Sequence, residues 1–177
     1  MFSPQAEAHL RKYLAAVPDH PYARKLLVAT LLKLGQPAQA KEAMAPMMAQ
    51  AANDPQLLAL AGELAMQGRE YGKAAEYFEK AAQMAPQAAA VRTSLAMSKL
   101  AQGDDARAVA ELEASTRLDS KSVKAGTLLV LTEMRMKRFD KALAAVSVLE
   151  KQQPKDPMVQ NLKGGVYLAM HDLDGAR

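Results

Sequence analysis

Residues 55–88 read PQLLALAGELAMQGREYGKAAEYFEKAAQMAPQA, and this stretch decides the fold. Its first half carries apolar residues at helical spacing, which predicts a helix. Pro55 suits the first turn of that helix, because its missing N–H would have no intrahelical partner there. Asn53 or Asp54 can supply the N-cap. Gly68 is predicted to end the helix, since glycine reaches positive φ at low cost.

The second half of the same stretch predicts a second helix, from about Gly72 to Met84. Small alanines along its apolar stripe let two backbones approach closely, and Phe78 fills the space beside them. Pro86 cannot continue the helix. The stretch therefore predicts two antiparallel helices packed as a hairpin.

The same hairpin recurs along the chain with a period of 34 residues, which is typical of a helical solenoid. One alanine column shows the period without a slip: Ala6, Ala40, Ala74, Ala108, Ala142 and Ala176. Glycine or a substitute recurs near residues 35, 68, 103 and 137, between the two helices of each unit. The period predicts an all-α fold of stacked antiparallel helix hairpins and argues against most enzyme folds.

The period also predicts the organisation of residues 1–177 as one array. Complete repeats are expected at 21–54, 55–88, 89–122 and 123–156, with the second helix of a partial repeat at 1–20 and a truncated repeat at 157–177. Natural solenoids end in polar capping elements, so we expect an internal fragment of a longer array. The alternative is a complete small protein with a ragged end.

These repeats resemble the tetratricopeptide repeat. The unit 55–88 carries the residues of that pattern: Ala61-Gly62, Ala65, Ala74, Phe78, Ala81 and Pro86. The resemblance implies an α-α superhelix, a right-handed solenoid of helix hairpins. Some positions depart from the pattern and leave the packing of their repeats open: Lys99 and Glu133 at the tyrosine column, and Tyr13 and Leu149 at the second small column.

Composition bounds the chemistry. The chain has no cysteine, so neither disulfides nor a thiol nucleophile are available. Its three histidines lie far apart in sequence, and no acid–base pair or metal-ligand set presents itself. We therefore expect no enzyme, no catalytic residue, no metal, no cofactor and no small-molecule substrate. The net charge of +4 arises from 23 basic and 19 acidic residues that are interleaved, which disfavours nucleic-acid binding.

Binding is the remaining mode of action. The resemblance implies that the first helix of each unit lines a concave groove that holds a peptide or partner protein. Projecting the family's groove positions gives these candidates: Tyr22, Lys25, Lys33, Gln56, Glu63, Gln67, Thr93, Met97, Lys124, Thr127, Leu131, Arg135 and Asn161. Met97 and Leu131 lie at the centre between basic ends, so we expect a moderately apolar segment flanked by acidic groups. Ala29 replaces an asparagine used by relatives that grip a C-terminal carboxylate, which argues against that mode.

A second resemblance concerns whole segments, including Arg92–Ala96, Leu100–Asp104, Arg138–Leu143 and Leu149–Pro154. In these segments the chain is similar to the TPR-repeat lipoprotein of the PEP-CTERM/exosortase system of Gram-negative bacteria. That similarity implies an envelope scaffold connected with exopolysaccharide production and protein sorting. It also implies a periplasmic or outer-membrane-tethered location, with an anchor outside this fragment; without it we expect a cytoplasmic protein.

Two further possibilities stay open at this stage. A nucleic-acid-binding helical repeat is the alternative function. In addition, helix faces exposed at the two ends of the array predict end-to-end self-association.

Overall fold

The computed structural model describes the backbone of residues 3–174 and the side chains as far as His171. Within this range every regular element is helical, which confirms the predicted all-α class. The helices are α1 Pro4–Ala16, α2 Pro21–Lys33, α3 Pro37–Met44, a 3₁₀-helix Ala45–Asn53, α4 Pro55–Gln67, α5 Tyr71–Met84, α6 Ala89–Ala101, α7 Asp105–Leu118, α8 Val123–Arg135, α9 Phe139–Gln152 and α10 Pro157–Asp174. The helix expected to begin near Ala176 lies outside the described residues.

The chain divides into two compact units, Met1–Pro86 and Gln87–Arg177. The N-terminal unit contains α1 to α5, and the C-terminal unit contains α6 to α10. Within each unit the first and second helix of a repeat pack together as neighbours, as in the pairs α4–α5 and α8–α9. In both units this pairing buries the alanine column of the second helices, from Ala40 to Ala142, completely.

Side chains at one repeat column cap the first helices. The Asp54 Oδ1 atom accepts hydrogen bonds from the backbone N–H of Gln56 at 3.0 Å and of Leu57 at 3.1 Å. The Ser122 hydroxyl caps α8 in the same way, through the backbone N–H of Ala125. These bonds satisfy donors that would otherwise lack an intrahelical partner. Asp54, rather than Asn53, is therefore the cap of α4.

The turn between the two helices of a repeat places one residue in the left-handed region. These residues are spaced at the repeat period: Gly35 at φ 71°, Arg69 at 59°, Gly103 at 79° and Lys137 at 59°. Gly68 follows the last residue of α4 but has φ −77°, so the prediction that Gly68 supplies the positive φ is wrong. A non-glycine residue pays a steric cost in this region, which Arg69 and Lys137 both bear.

The second helix of repeat 21–54 differs from the others. It ends as α-helix at Met44 and continues as the 3₁₀-helix Ala45–Asn53, whereas α5 is continuous over 14 residues. Pro46 explains the change, because it has no N–H and its ring clashes with the carbonyl four residues earlier. The repeat pattern alone predicted an uninterrupted second helix here.

Glycines on the first helices make room for large side chains on the second. A Cβ added to Gly62 would lie 2.6 Å from Cε1 of Phe78, and one added to Gly126 would lie 2.5 Å from Cδ2 of Leu149. Leu149 therefore fits a column that usually holds a small residue, because its partner helix has no side chain there. This answers the packing question that Leu149 raised.

The other departures from the repeat pattern are accommodated in different ways. Tyr13 lies half-exposed on α1, with its ring edge-to-face against His20. Glu133 is 1% exposed, with Oε2 at 3.7 Å from Nη1 of Arg138. Lys99 is also buried, at the equivalent position of α6. The tyrosine column thus tolerates charged residues in two neighbouring repeats.

Candidate protein-binding surface

The predicted groove residues share one face of the first helices, which we call the first-helix face. On α8 this face is built by Lys124, Thr127, Leu131 and Arg135, whose spacing places them on one side of the helix. Corresponding positions on α2, α4, α6 and α10 carry the other candidates. Their accessibility and bonding differ greatly between positions, and this decides which of them could meet a ligand.

In the N-terminal unit, Lys25 is committed to its own chain. Its Nζ atom lies 2.9 Å from Oδ2 of Asp54 and 3.0 Å from Oε1 of Gln56. The Lys25 side chain is only 19% exposed. The predicted basic end of the groove at Lys25 is therefore neutralised, and the pair connects α2 to the start of α4.

The same pair changes the acidity of Asp54. Burial opposes ionisation of this carboxyl, but the hydrogen bond from Lys25 and those from the backbone of Leu57 and Gln56 outweigh it. The pKa of Asp54 therefore lies below its ordinary value. A carboxylate that is both a helix cap and the partner of Lys25 stays ionised throughout the neutral range.

Gln67 also serves the packing of the N-terminal unit. Its Nε2 atom donates to the backbone carbonyl of Leu32, at 2.9 Å, near the end of α2. Tyr22 and Lys33 are exposed, with Tyr22 at 68%; Gln56 is exposed but accepts from Lys25, and Glu63 is partly exposed. This part of the face is polar, and several of its side chains are hydrogen-bonded within the chain.

In the C-terminal unit, Thr93 is buried and cannot belong to an open groove. Its hydroxyl oxygen lies 2.8 Å from that of Ser115 on α7, and both hydroxyls lie within hydrogen-bond distance of the carbonyl of Ala89, at 3.2 Å for Thr93 and 2.8 Å for Ser115. Each hydroxyl has one proton to donate, so the two share these contacts. The assignment of Thr93 as a ligand-contacting residue is therefore wrong, because its one polar group is used between α6 and α7.

Arg135 is exposed but engaged in an ion pair. Its Nε atom lies 2.8 Å from Oδ2 of Asp105, the first residue of α7, and its Nη2 atom contacts Oδ1 of the same carboxylate. The charge of Arg135, like that of Lys25, is thus neutralised within the chain. The pair places a carboxylate at a helix N-terminus, where negative charge is favoured.

Among the described residues, the accessible part of the first-helix face in the C-terminal unit is apolar and carries one free cation, Lys124. Leu131 is 48% exposed and Met97 is partly exposed. Lys124 is exposed and has no hydrogen bond or ion pair with a described residue. On α10, Met158 and Asn161 are also exposed. Thr127 is only partly accessible, and its buried hydroxyl oxygen has no partner within the described range.

An open cavity in the N-terminal unit is lined by none of the candidate residues of the first-helix face. It has a volume of about 400 Å³ and is bordered by α3, α4 and α5. The sequence analysis did not predict it, and it treated the second helix that forms part of its wall as continuous. Pro46 is the signal that could have revealed it.

The described residues show no metal cluster and no membrane span. Nowhere in that range do three or more histidine or carboxylate side chains converge to hold an ion. None of the helices between residues 3 and 174 carries an apolar stretch long enough to cross a bilayer.

Comparison with known families identifies the repeat. The tetratricopeptide repeat model matches residues 4–64, 65–130 and 99–166, which together span most of the chain. The chain therefore belongs to the tetratricopeptide repeat family. Comparison with curated protein sequences gives no match.

Solved structures show the same fold at low sequence identity. A thermophilic tetratricopeptide repeat protein of Thermus thermophilus is similar with a TM-score of 0.74 and 20% identity, over 92% of this chain and 89% of that one. A tetratricopeptide repeat protein from Parabacteroides merdae gives 0.72 and 15%, over 93% and 66%. The first such domain of Spaghetti, bound to the HSP90 peptide SRMEEVD, gives 0.62 and 14%, over 68% and 95%. At these identities the similarity establishes the fold alone.

Proposed function

We propose that the chain is a protein-interaction scaffold whose first-helix face in the C-terminal unit binds a segment of a partner protein. The observation that carries this proposal is that the exposed Leu131 and the free cation Lys124 share one face of α8, two turns apart. Exposed large apolar side chains beside a charge are typical of surfaces that bind other proteins. Family membership supports the same role, since tetratricopeptide repeats are generally scaffolds.

The preferred ligand is an apolar segment with acidic neighbours. Lys25 and Arg135 are both paired within the chain, so Lys124 is the cation of the C-terminal unit's first-helix face that can attract an acidic group. An ion pair at the rim of an interface mainly increases the association rate and makes it salt-dependent. The apolar contact with Leu131 then supplies most of the affinity.

The peptide SRMEEVD, which the Spaghetti domain binds, has the required chemistry and serves as a probe. We expect it to bind weakly, and to bind equally well when its C-terminal carboxylate is amidated, because the column of the carboxylate-gripping asparagine, which holds Ala29 in α2, holds Met97 and Leu131 in α6 and α8. Leu131→Asp should lower the affinity on the order of tenfold, and Lys124→Glu should lower it several-fold and reduce its salt dependence.

Val148→Asp is the matched control, because Val148 is a similarly exposed apolar residue on the second helix α9. The Val148→Asp variant should bind the probe with the affinity of the unmodified chain. If Val148→Asp and Leu131→Asp weaken binding equally, the first-helix face is not the binding surface. Steeply salt-dependent binding of a random-sequence oligonucleotide would favour the nucleic-acid alternative instead.

The cellular setting is also a proposal. The similarity of Arg92–Ala96, Arg138–Leu143 and the other segments to the PEP-CTERM/exosortase lipoprotein supports an exported, lipid-tethered scaffold in the periplasm or at the outer membrane. The parent reading frame tests it: a lipoprotein signal upstream is expected, and a cytoplasmic protein without such a signal would contradict it.

Self-association is supported by exposed side chains on the first and the last helix, α1 and α10. Tyr167 and Leu168 on α10 are more than half exposed, and α1 buries none of its described side chains. We expect a mass in solution that rises with concentration, and Leu168→Lys should remove that dependence. A constant monomer mass would exclude the interaction.

A further inference from the structure

The interruption at Pro46 changes the surface beside it. In repeat 55–88 the second helix α5 is regular from Tyr71 to Met84, but in repeat 21–54 regular α-helix covers only Pro37–Met44. The 3₁₀-helix that follows has a different rise and different side-chain directions from an α-helix. An open cavity lies beside this interruption, between α3, α4 and α5 of the N-terminal unit, and Ala45 and Met48 of the 3₁₀-helix form part of its wall.

The cavity is lined mainly by apolar side chains. Its volume of about 400 Å³ lies in the range of small-molecule sites, which is on the order of 300–1,000 Å³. The large apolar residues in its wall are Met44, Met48, Leu64 and Tyr77. Methionine is flexible and polarisable, so a wall containing two of them can adapt to an apolar ligand.

Three charged residues also line the cavity, namely Lys41, Glu70 and Lys73, and their net charge is positive. Lys73 Nζ lies 2.6 Å from Oε2 of Glu70. The hydrogen bond and charge of Lys73, and more weakly the charge of Lys41, hold the pKa of Glu70 below its ordinary value. Lys41 itself is exposed and makes no ion pair or hydrogen bond with a described residue. One ammonium group is therefore available for a negative group on a ligand.

The walls are helical, so their backbone N–H and C=O groups are mostly used within the helices. An extended peptide buried here would leave its own amides unsatisfied, which costs free energy for each group. An acyl chain carries no polar groups along its length and avoids that cost.

We propose that this cavity binds a medium-chain fatty acid, with the acyl chain among Met44, Met48 and Leu64 and the carboxylate at Lys41. The site uses α3, the 3₁₀-helix, α5 and a different side of the first helix α4, and none of the candidate residues of the first-helix face. Its occupancy is therefore independent of the protein-binding role proposed above.

Octanoate titrated into the full chain, followed by NMR and calorimetry, tests the proposal. We expect saturable binding with shifts at Met44 and Met48, and at least tenfold weaker binding of octylammonium, which has the same chain and the opposite charge. Lys41→Glu should weaken octanoate binding about tenfold. Lys80→Glu is the matched control on α5, exposed and outside the cavity, and should leave the affinity unchanged.

A second variant tests the origin of the cavity. Pro46→Ala restores a backbone N–H at position 46, where the equivalent position 114 holds alanine within the continuous α7. We expect more helix by circular dichroism and at least a tenfold loss of octanoate affinity. The proposal is overturned by equal binding of octanoate and octylammonium, by no saturation, by equal effects of the two lysine variants, or by displacement of octanoate by a capped Leu-Leu-Asp peptide.

Discussion

Repeats 55–88 and 123–156 fill the space between their two helices in opposite ways. In the first repeat a small residue, Gly62, faces a large one, Phe78. At the same two columns of the second repeat, Val130 and Val146 are of equal, intermediate size. One turn away the order is reversed: Leu58 and Ala81 stand where the later repeat has Gly126 and Leu149. The backbone pattern is kept because the volume of each pair, rather than each residue, is preserved.

This compensation also explains why the first-helix face can vary. The size-matched pairs lie on the faces that the two helices turn towards each other, so they hold the hairpin without help from Lys124 or Leu131. Side chains of the first-helix face can then hydrogen-bond within the chain in one repeat, as Lys25 and Gln67 do. In another repeat they can stay accessible to a partner.

The largest expected difference between the two repeats concerns the large member of the pair. Phe78→Ala should lower the free energy of unfolding by about 3–5 kcal/mol, since Gly62 offers no side chain to refill the cavity. Val146→Ala removes less volume and should cost clearly less. Urea unfolding followed by circular dichroism measures both. Equal losses would show that Phe78 is not the main support of its hairpin.

A smaller difference concerns the helix caps. Asp54→Ala and Ser122→Ala should each cost about 1 kcal/mol at neutral pH, because each removes the acceptor for N-terminal donors. Asp54 has a lowered pKa, so its contribution is present above the ordinary value of about 4 and is lost as the pH falls through its folded-state pKa.

The unfolding free energies of the two cap variants and the unmodified chain, measured from pH 7 down to pH 3, check this. The difference between the unmodified chain and Asp54→Ala should shrink on acidification. The corresponding difference for Ser122→Ala should carry no such titration, since a hydroxyl does not ionise in this range. A pH-independent effect of Asp54→Ala would contradict the assigned ion pair with Lys25.

The smallest effect is expected where the two repeats agree. Arg69 and Lys137 both adopt φ 59°, so Arg69→Gly and Lys137→Gly should each stabilise by up to about 1 kcal/mol through relief of steric strain. The greater freedom of glycine in the unfolded chain offsets part of this gain. Thermal unfolding measures the change. Destabilisation of both variants would mean that their side chains make contacts that outweigh the strain.

Much of the fold follows from the period, because one alanine column recurs at every repeat. The period could not reveal which of two residues at a turn takes the left-handed conformation, and so it favoured Gly68 over Arg69. It also hid the effect of Pro46, whose column holds no proline in any other repeat. Thr93 was wrongly predicted to be exposed, because its burial depends on packing against Ser115 of α7, which its position on α6 does not reveal.

The exchange of sizes between Gly126 and Leu149 gives the most direct measurement. Unfolding free energies of Gly126→Leu, Leu149→Ala and the double variant form a cycle, with Gly164→Leu on α10 as the control for glycine replacement without a neighbour. We predict that each single variant at the pair destabilises, and that the double variant recovers at least about 2 kcal/mol, since it recreates the arrangement of Leu58 and Ala81. Effects that add to within about 0.5 kcal/mol would contradict the account.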